Sequence, residues 1–313
     1  MNLSKDILNA MMVITVLAHV GLTTASAEDD STRASQPPAR PAGWTDGYVM
    51  ANGIRIHYWR TGGDKPVLLM AHGSSDNGLC WTNLAKELVD DYDIILPDAR
   101  GHGLSDPPRK SDSADAQAED LAGLIRALKL KKPILMGHSM GSSSVAWFAA
   151  KYPDIPGAVI LEDPRLIPRP SGNPRSSANA ATAAAQERRR AQILVRNNTP
   201  YEALVAQCLK SNPQWGRTEC KYWAPSKRLH HPNNAYRRLG GSRPPMSELF
   251  GMITAPTLIL KADAQGDVRR QNEEVAQLLK NGKIVHVEGA NHNVRRDQKE
   301  LLLKALKEFL GEL

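Results

Sequence analysis

Short apolar runs alternate along this sequence with longer stretches in which apolar residues recur at three- and four-residue spacing. The short runs have the length of strands, and an unbroken apolar run indicates a strand buried on both faces of a sheet. The longer stretches have the period of amphipathic helices. The alternation predicts a doubly wound, mostly parallel α/β sheet. The predicted strands are Val67 to Ala71, Asp93 to Leu96, Ile134 to Met136, Ala158 to Leu161, Thr257 to Leu260 and Ile284 to Val287.

An antiparallel hairpin is predicted ahead of this pattern. The Asn52-Gly53 pair favours a tight turn, and it joins Tyr48 to Met50 with the alternating run Ile54 to Trp59. The helices predicted around the sheet are Leu79 to Val89, Ala114 to Lys129, Ser142 to Lys151, Glu273 to Lys280 and Asp297 to Leu310.

One interval is too long for a simple crossover, since about 95 residues separate Leu161 from Thr257. Helical runs at Ala180 to Arg196 and Tyr201 to Leu209 predict an inserted helical cap over residues 164–245. The core domain is then formed by residues 44–163 and 246–313.

The predicted cap is strongly basic. It holds fifteen Lys or Arg against three Glu, a net charge of +12, whereas the whole chain carries +7. Like charge clustered around a cleft attracts opposite charge, so the cap is expected to favour anionic or strongly polar substrates, or contact with an acidic surface. The alternative is that these charges lie on solvated helix faces. No nucleic-acid recognition motif accompanies the charge, and a nucleic-acid partner is not expected.

The N-terminus predicts export. Ile7 to Thr24 is mostly apolar and is followed by Ala25–Ala27, small residues that suit a signal peptidase. We expect residues 1–27 to be a signal peptide and residues 28–43 a flexible lead-in. The mature protein would then be secreted or periplasmic and would keep no stable membrane span.

Three cysteines are present. Export makes a Cys208–Cys220 bridge possible, with Cys80 left over and buried. Three unrelated thiols are the alternative reading of the same residues.

The segment Gly137–Gly141 reads Gly-His-Ser-Met-Gly between a predicted strand and a predicted helix. This is the context of a nucleophile elbow, in which a sharp turn projects the serine above the sheet and the helix dipole faces a developing oxyanion. Ser139 is therefore the predicted nucleophile. A chance serine in a turn would lack the strand before it and the helix after it.

With these motifs the sequence resembles the α/β-hydrolase superfamily, in particular its capped serine esterases and epoxide-hydrolase-like members, over residues 45–313. Met70–Ser74 resembles the family's His-Gly oxyanion loop, which implies that the backbone N–H groups of Ser74 and Met140 hold the tetrahedral oxygen. The resemblance also implies that His72 supports this loop.

The loop after the fourth strand, Pro97 to Ser105, also resembles the family. Asp98, Arg100 and His102 within it are predicted to form a structural polar network that supports the site. No accompanying pattern of ligands favours a metal there, and no cofactor is expected.

The predicted base is His292. It lies after the last predicted strand, in a segment that resembles the family's G-x-x-H motif, where its ring can reach the serine. His286 falls within the strand and is expected to pack against the sheet.

The acid departs from the family pattern, because the usual position after the seventh strand is Gln265. Asp263 comes slightly before that position and Asp267 slightly after it. Glu162 and Asp163 end the sixth strand, which is the alternative acid position in some members. We predict Asp263 as the acid, with Glu162, Asp163 and Asp267 left as alternatives.

These residues together predict a serine hydrolase that cleaves small ester-like substrates through an acyl-enzyme. Lactonase, amidase and thioesterase activities use the same parts, and a slow-turnover binding protein or receptor is an alternative of a different class. The serine in the elbow argues against dehalogenase and epoxide-hydrolase chemistry, which in this superfamily uses Asp there.

Overall fold

A computed structural model describes residues 36–167, 183–240 and 243–313, and for residues 237–240 it describes the backbone alone. The predicted signal peptide and the first half of the predicted lead-in, residues 28–35, lie outside the described residues. Parts of the predicted cap, residues 168–182 and 241–242, lie outside them too. No helix within the described ranges is long and apolar enough to cross a membrane.

The core of the fold is one eight-stranded sheet in the order β1-β2-β4-β3-β5-β6-β7-β8. The β1–β2 hairpin is antiparallel, β2 pairs antiparallel with β4, and every other pair is parallel. The predicted sheet and hairpin are therefore confirmed. The strands are β1 Thr45–Ala51, β2 Ile54–Arg60, β3 Val67–Ala71, β4 Asp93–Pro97, β5 Ile134–His138, β6 Ala158–Glu162, β7 Thr257–Ala262 and β8 Gly282–Val287.

The described residues also form α-helices, most of which pack around this sheet. In chain order they are α1 Thr82–Ala85, α2 Ala116–Ala127, α3 Met140–Lys151, α4 Ala183–Asn197, α5 Tyr201–Ser211, α6 Gly216–Arg228, α7 Met246–Phe250, α8 Gly266–Ala276, α9 Val294–Asp297 and α10 Lys299–Gly311. Two predictions need correction. The helix expected at Leu79 to Val89 is a 3-10 turn, Gly78–Trp81, followed by the short α1, and the helix expected at Glu273 to Lys280 begins earlier as α8.

Both faces of the sheet are buried, as unbroken apolar strands require. Leu135 of β5 packs on one side with Phe148 of α3. Its neighbour Met136 points to the other side, with Leu302 and Leu306 of α10. Successive strand residues thus enter opposite halves of the core, and burial of each large apolar side chain contributes about 1.5–3 kcal/mol to stability.

Helices α4 to α6 and the 3-10 segments beside them lie between β6 and β7 in sequence, and they contact loops at the carboxyl ends of the strands. Asn234, in the 3-10 segment Pro232–Gly240, donates from Nδ2 to the carbonyl oxygen of Gly101 at 2.6 Å. Trp215 donates from Nε1 to Asp297 Oδ1 at 2.6 Å. The inserted helices therefore lie beside the end of the sheet that carries the nucleophile turn.

A disulfide joins Cys208 of α5 to Cys220 of α6, with 5.6 Å between their Cα atoms. The third cysteine, Cys80, is a buried thiol. The structure thus contains the bridge that the sequence had left open.

Candidate active site

Ser139 stands at the sharp turn between β5 and α3. Its φ of +51° and ψ of −103° are a strained combination for a residue with a side chain. A Cβ on Gly137 would lie 2.5 Å from the backbone of Gly141, and a Cβ on Gly141 would lie 2.1 Å from the carbonyl oxygen of Ala71. Only glycine fits at both positions, so the two glycines allow the turn that presents Ser139 to the cavity above the sheet.

His292 lies beside the serine. Its Nε2 is 2.9 Å from Ser139 Oγ, and its ring is carried on the loop between β8 and α9. His138 donates from Nε2 to the carbonyl oxygen of His292 at 2.9 Å, which holds this loop in place. Burial, together with the charge of Arg295, keeps the pKa of His138 well below its usual value, so His138 is a neutral structural donor. The two side chains predicted to act together are therefore adjacent.

The carboxylate at the other nitrogen of His292 is Asp163, not Asp263 as predicted. Asp163 Oδ2 lies 2.5 Å from His292 Nδ1. Asp163 follows β6 directly and has a φ of +43°, which turns its side chain away from the course of the strand. This turn brings the carboxylate to the imidazole, and a sequence pattern gives no sign of it.

The other candidate acids have different partners. Glu162 is fully buried and is bound by the backbone N–H and the guanidinium of Arg295, both at 2.9 Å. Asp263 is exposed, and its Oδ2 accepts a hydrogen bond from the N–H of Gly289 at 3.0 Å. Asp263 therefore braces the loop that precedes His292. Asp267 is exposed in the first turn of α8.

Asp163 is also bound from the side opposite His292. Its Oδ1 accepts hydrogen bonds from Lys261 Nζ and, at 3.2 Å, from the N–H of Ala262. Burial alone would raise the pKa of Asp163, but the hydrogen bond from His292 and the charge of Lys261 outweigh it and lower the pKa to about 2. Asp163 is thus an anion at neutral pH, shared between an imidazole and an ammonium group.

The two predicted oxyanion donors lie at the start of α3 and in the wall of the cavity. Met140 is the first residue of α3, where backbone N–H groups have no partner within the helix. Ser74 lines the same cavity as Ser139. Both positions suit a backbone N–H that faces an oxygen bound at the serine.

A buried lysine holds the loop after Ser74. Lys227 Nζ donates to the carbonyl oxygen and the hydroxyl of Ser75, at 2.8 and 3.1 Å, and to Asp76 Oδ1 at 2.7 Å. Its side chain is only 3% exposed, and Ser75 has a φ of +62°. All three ammonium protons of Lys227 are therefore committed to this loop. This role was not predicted, since nothing in the sequence distinguishes Lys227 from the other basic residues of a basic segment.

The residues predicted to support the site from behind are buried. His72 is buried, with Nδ1 2.7 Å from the carbonyl oxygen of Gly73 and Nε2 accepting from the N–H of Ala99 at 3.0 Å. Asp98 is buried too and accepts hydrogen bonds from the N–H groups of Gly78 and Leu104. These contacts support the loops after β3 and β4.

The remaining histidine and arginine of this prediction also have structural partners. Arg100 forms ion pairs with Asp120 and Asp112, and His102 stacks against His230 with 4.7 Å between ring centroids. His286 packs beside α8, as expected for a strand residue. Within the described ranges, no group of three or more His, Cys, Asp or Glu side chains is arranged to hold a metal ion.

A cavity of about 280 Å³ opens above Ser139 and His292. The loop after β3 forms one wall through Ser74, Ser75 and Asp76. The inserted helices form most of the rest, and the side chains lining the cavity there are mainly polar: Arg196, Gln207, Ser211, Asn212, Trp215, Trp223 and Lys227. The volume lies just below the usual range for sites that hold drug-sized ligands, so a small, polar ligand fits best.

Known proteins resemble the chain in sequence. It is 28% identical to Epoxide hydrolase 1 of Caenorhabditis elegans over 297 residues, which cover 86% of this chain and 71% of the relative. It is 27% identical to the 2-(acetamidomethylene)succinate hydrolase of Mesorhizobium japonicum over 254 residues, 80% of this chain and 90% of the relative.

Solved structures share the fold. An N-formylmaleamic acid deformylase from Pseudomonas putida S16 superposes with a TM-score of 0.68 at 22% identity, covering 84% of this chain and all of that one. The family described as the alpha/beta hydrolase fold matches residues 66–294, which span the sheet from the start of β3 to the loop that carries His292. The chain therefore belongs to the alpha/beta hydrolase family, and it is related to hydrolases.

Proposed function

We propose that this protein is a serine hydrolase that cleaves carboxylic ester-like bonds through an acyl-enzyme. Ser139 is the nucleophile, His292 the general base and Asp163 the acid that orients it. The observation that carries this proposal is the chain of contacts from Ser139 Oγ to His292 Nε2, at 2.9 Å, and from His292 Nδ1 to Asp163 Oδ2, at 2.5 Å.

The mechanism follows from these contacts. Asp163 accepts the Nδ1 proton of His292, which leaves Nε2 unprotonated and able to take the proton of Ser139. The Ser139 oxygen attacks the substrate carbonyl, and the N–H groups of Ser74 and Met140 stabilise the oxyanion. His292 then gives the proton to the leaving group, and water repeats the sequence on the acyl-enzyme.

A second candidate is amide hydrolysis by the same residues. It is favoured by the similarity to a 2-(acetamidomethylene)succinate hydrolase, whose name denotes an acetamido compound. The similarity to an epoxide hydrolase carries less weight for the reaction, because this chain has Ser139 in the elbow, where the epoxide hydrolases of the superfamily have Asp.

The proposal is tested by screening simple esters, lactones and amides against the wild-type chain, Ser139→Ala and His292→Ala. Both variants should fold, since neither side chain packs in the core, and both should lose at least about 10⁴-fold in turnover. A fluorophosphonate should label Ser139 in the wild type alone. Wild-type turnover by Ser139→Ala would exclude the mechanism, and labelling without sustained turnover would favour the binding-protein alternative.

A further inference from the structure

Three cationic side chains line the described part of the cavity: Arg196, Lys227 and Arg296. Two of them are neutralised by the protein itself. Lys227 pairs with Asp76 at 2.7 Å, and Arg296 pairs with Asp76 at 2.9 Å and with Glu219 at 3.3 Å. These two cations are therefore already occupied in the folded chain.

The pairing belongs to a balanced, buried cluster. Lys227, Arg295 and Arg296 supply three positive charges, and Asp76, Glu162 and Glu219 supply three negative charges. Burial opposes ionisation of Asp76, but the charges of Arg296, Lys227 and Arg295 hold its pKa well below the usual value. A ligand that drew on one of these cations would weaken its pairing with a buried carboxylate, which is unfavourable.

Arg196 is different. It lies in the last turn of α4, its side chain is exposed, and no carboxylate of the described residues lies within ion-pair distance of it. Gln207 and Ser211 of α5 line the same wall, and within the described residues their side chains have no hydrogen-bond partner. Among the described residues, Arg196 thus lines the cavity without an ion-pair partner, beside neutral hydrogen-bonding groups.

The backbone that carries Arg196 is fixed. The next residue, Asn197, donates from Nδ2 to the carbonyl oxygens of Lys227, Arg228 and His230 at 2.9, 3.0 and 3.1 Å. The end of α4 is therefore tied to the end of α6, which carries Lys227. This arrangement holds Arg196 over the same cavity as Ser139 and reduces the ordering that ligand binding would require.

We propose that Arg196 binds a carboxylate of the substrate, so that the preferred substrates are short esters or amides that carry a second, free carboxylate. A guanidinium binds a carboxylate through two parallel N–H···O bonds, which fixes orientation as well as charge. This inference rests on the proposed function for the bond that is cleaved, but it concerns binding and can be tested without turnover.

The alternative is a general attraction of anions by the basic insert. Such steering acts at a distance and is screened within about 8 Å at physiological ionic strength. The strength of such steering would depend on the total number of exposed charges, so no single arginine would be essential to it. Arg188, also exposed and on α4 but outside the cavity lining, provides the matched control, because Arg188→Met removes the same charge from the same helix.

The experiment measures binding by calorimetry in a Ser139→Ala background, which cannot turn substrate over. The probes are monoethyl succinate and ethyl levulinate, in which a methyl ketone replaces the carboxylate. Arg196→Met should weaken binding of monoethyl succinate by about 10- to 100-fold, the value of a charged hydrogen-bonded contact, and that of ethyl levulinate by less than about 3-fold. Arg188→Met should leave both unchanged.

Equal affinity for the two esters, no detectable binding of monoethyl succinate at millimolar concentration, or equal effects of the two arginine substitutions would each overturn the anionic site. Thermal unfolding of each variant shows whether it is folded. If binding selects the carboxylate through Arg196 while the intact chain cleaves neither ester, the inference stands and the proposed hydrolysis of such esters fails.

Discussion

Replacing Asp163 with asparagine separates the acid assignment from its alternatives. Lys261 Nζ and the N–H of Ala262 both donate to Oδ1 of Asp163. In Asp163→Asn these donors require the amide oxygen on their side, so the amide NH₂ group turns toward His292. A donor at that position forces Nδ1 of His292 to accept, which leaves the ring proton on Nε2, where it cannot take the proton of Ser139.

We therefore expect Asp163→Asn to lower turnover by about 10⁴-fold, equivalent to about 5.5 kcal/mol in the activation free energy. The assay is steady-state ester hydrolysis, with the rate of fluorophosphonate labelling of Ser139 as a second readout. Asp263→Asn is the matched control and should change turnover by less than about 3-fold, because Asp263 contacts Gly289 and not the imidazole.

The same substitution has a pH-dependent effect on stability. The pKa of Asp163 falls from 3.8 to about 2 in the folded chain, and its side chain is 9% exposed. The ionised carboxylate thus contributes about 2 kcal/mol to the free energy of unfolding, present above pH 3.8 and lost as the pH falls toward 2. Urea unfolding at neutral pH should show this loss in Asp163→Asn. The assignment of Asp163 as the acid would be refuted if Asp163→Asn kept turnover within tenfold of wild type. It would also be refuted if Asp263→Asn lost more turnover than Asp163→Asn.

Three further outcomes are expected. Lys227→Met should lower kcat by about 10- to 100-fold with little change in KM, measured by ester kinetics, because it releases the Ser75–Asp76 loop beside a transition-state contact. Replacing both Cys208 and Cys220 with serine should lower the free energy of unfolding by about 3 kcal/mol, measured in urea, since the bridge closes a loop of 12 residues. N-terminal sequencing of protein from its native host should find a mature chain that begins near Glu28, and an intact Met1 would contradict export.

Much of the fold followed from periodicity alone. Each predicted parallel strand lies within an observed one, because an apolar run between turns has few other ways to be buried. Helix α6 was missed, since Pro225 lies inside it and a proline usually ends a helical pattern. The missing N–H of Pro225 does not prevent the helix, which is held by its packing and by the disulfide at Cys220.

The residues of the candidate site also differed in whether the sequence could predict them. Ser139 and His292 were predicted because each belongs to a local motif with a defined place relative to a strand. The partners that lie across the fold were not predicted: Lys227 reaches Asp76 over 151 positions of sequence, and Arg296 reaches it over 220. Contacts of that separation depend on how the inserted helices sit on the sheet, which no local pattern specifies.

The choice of acid could not be predicted from a local pattern, even between two adjacent residues. Glu162 and Asp163 end the same strand, and alternation along β6 directs Glu162 into the core, where Arg295 neutralises it. The positive φ of Asp163 turns the next side chain to His292 instead. At the end of β7, near the family's usual acid position, this chain has Lys261, whose ammonium group binds the relocated carboxylate. Lys261 and the two acids end neighbouring parallel strands, but only the positive φ of Asp163 decides which acid meets Lys261 and His292, and that backbone angle is not visible in the sequence.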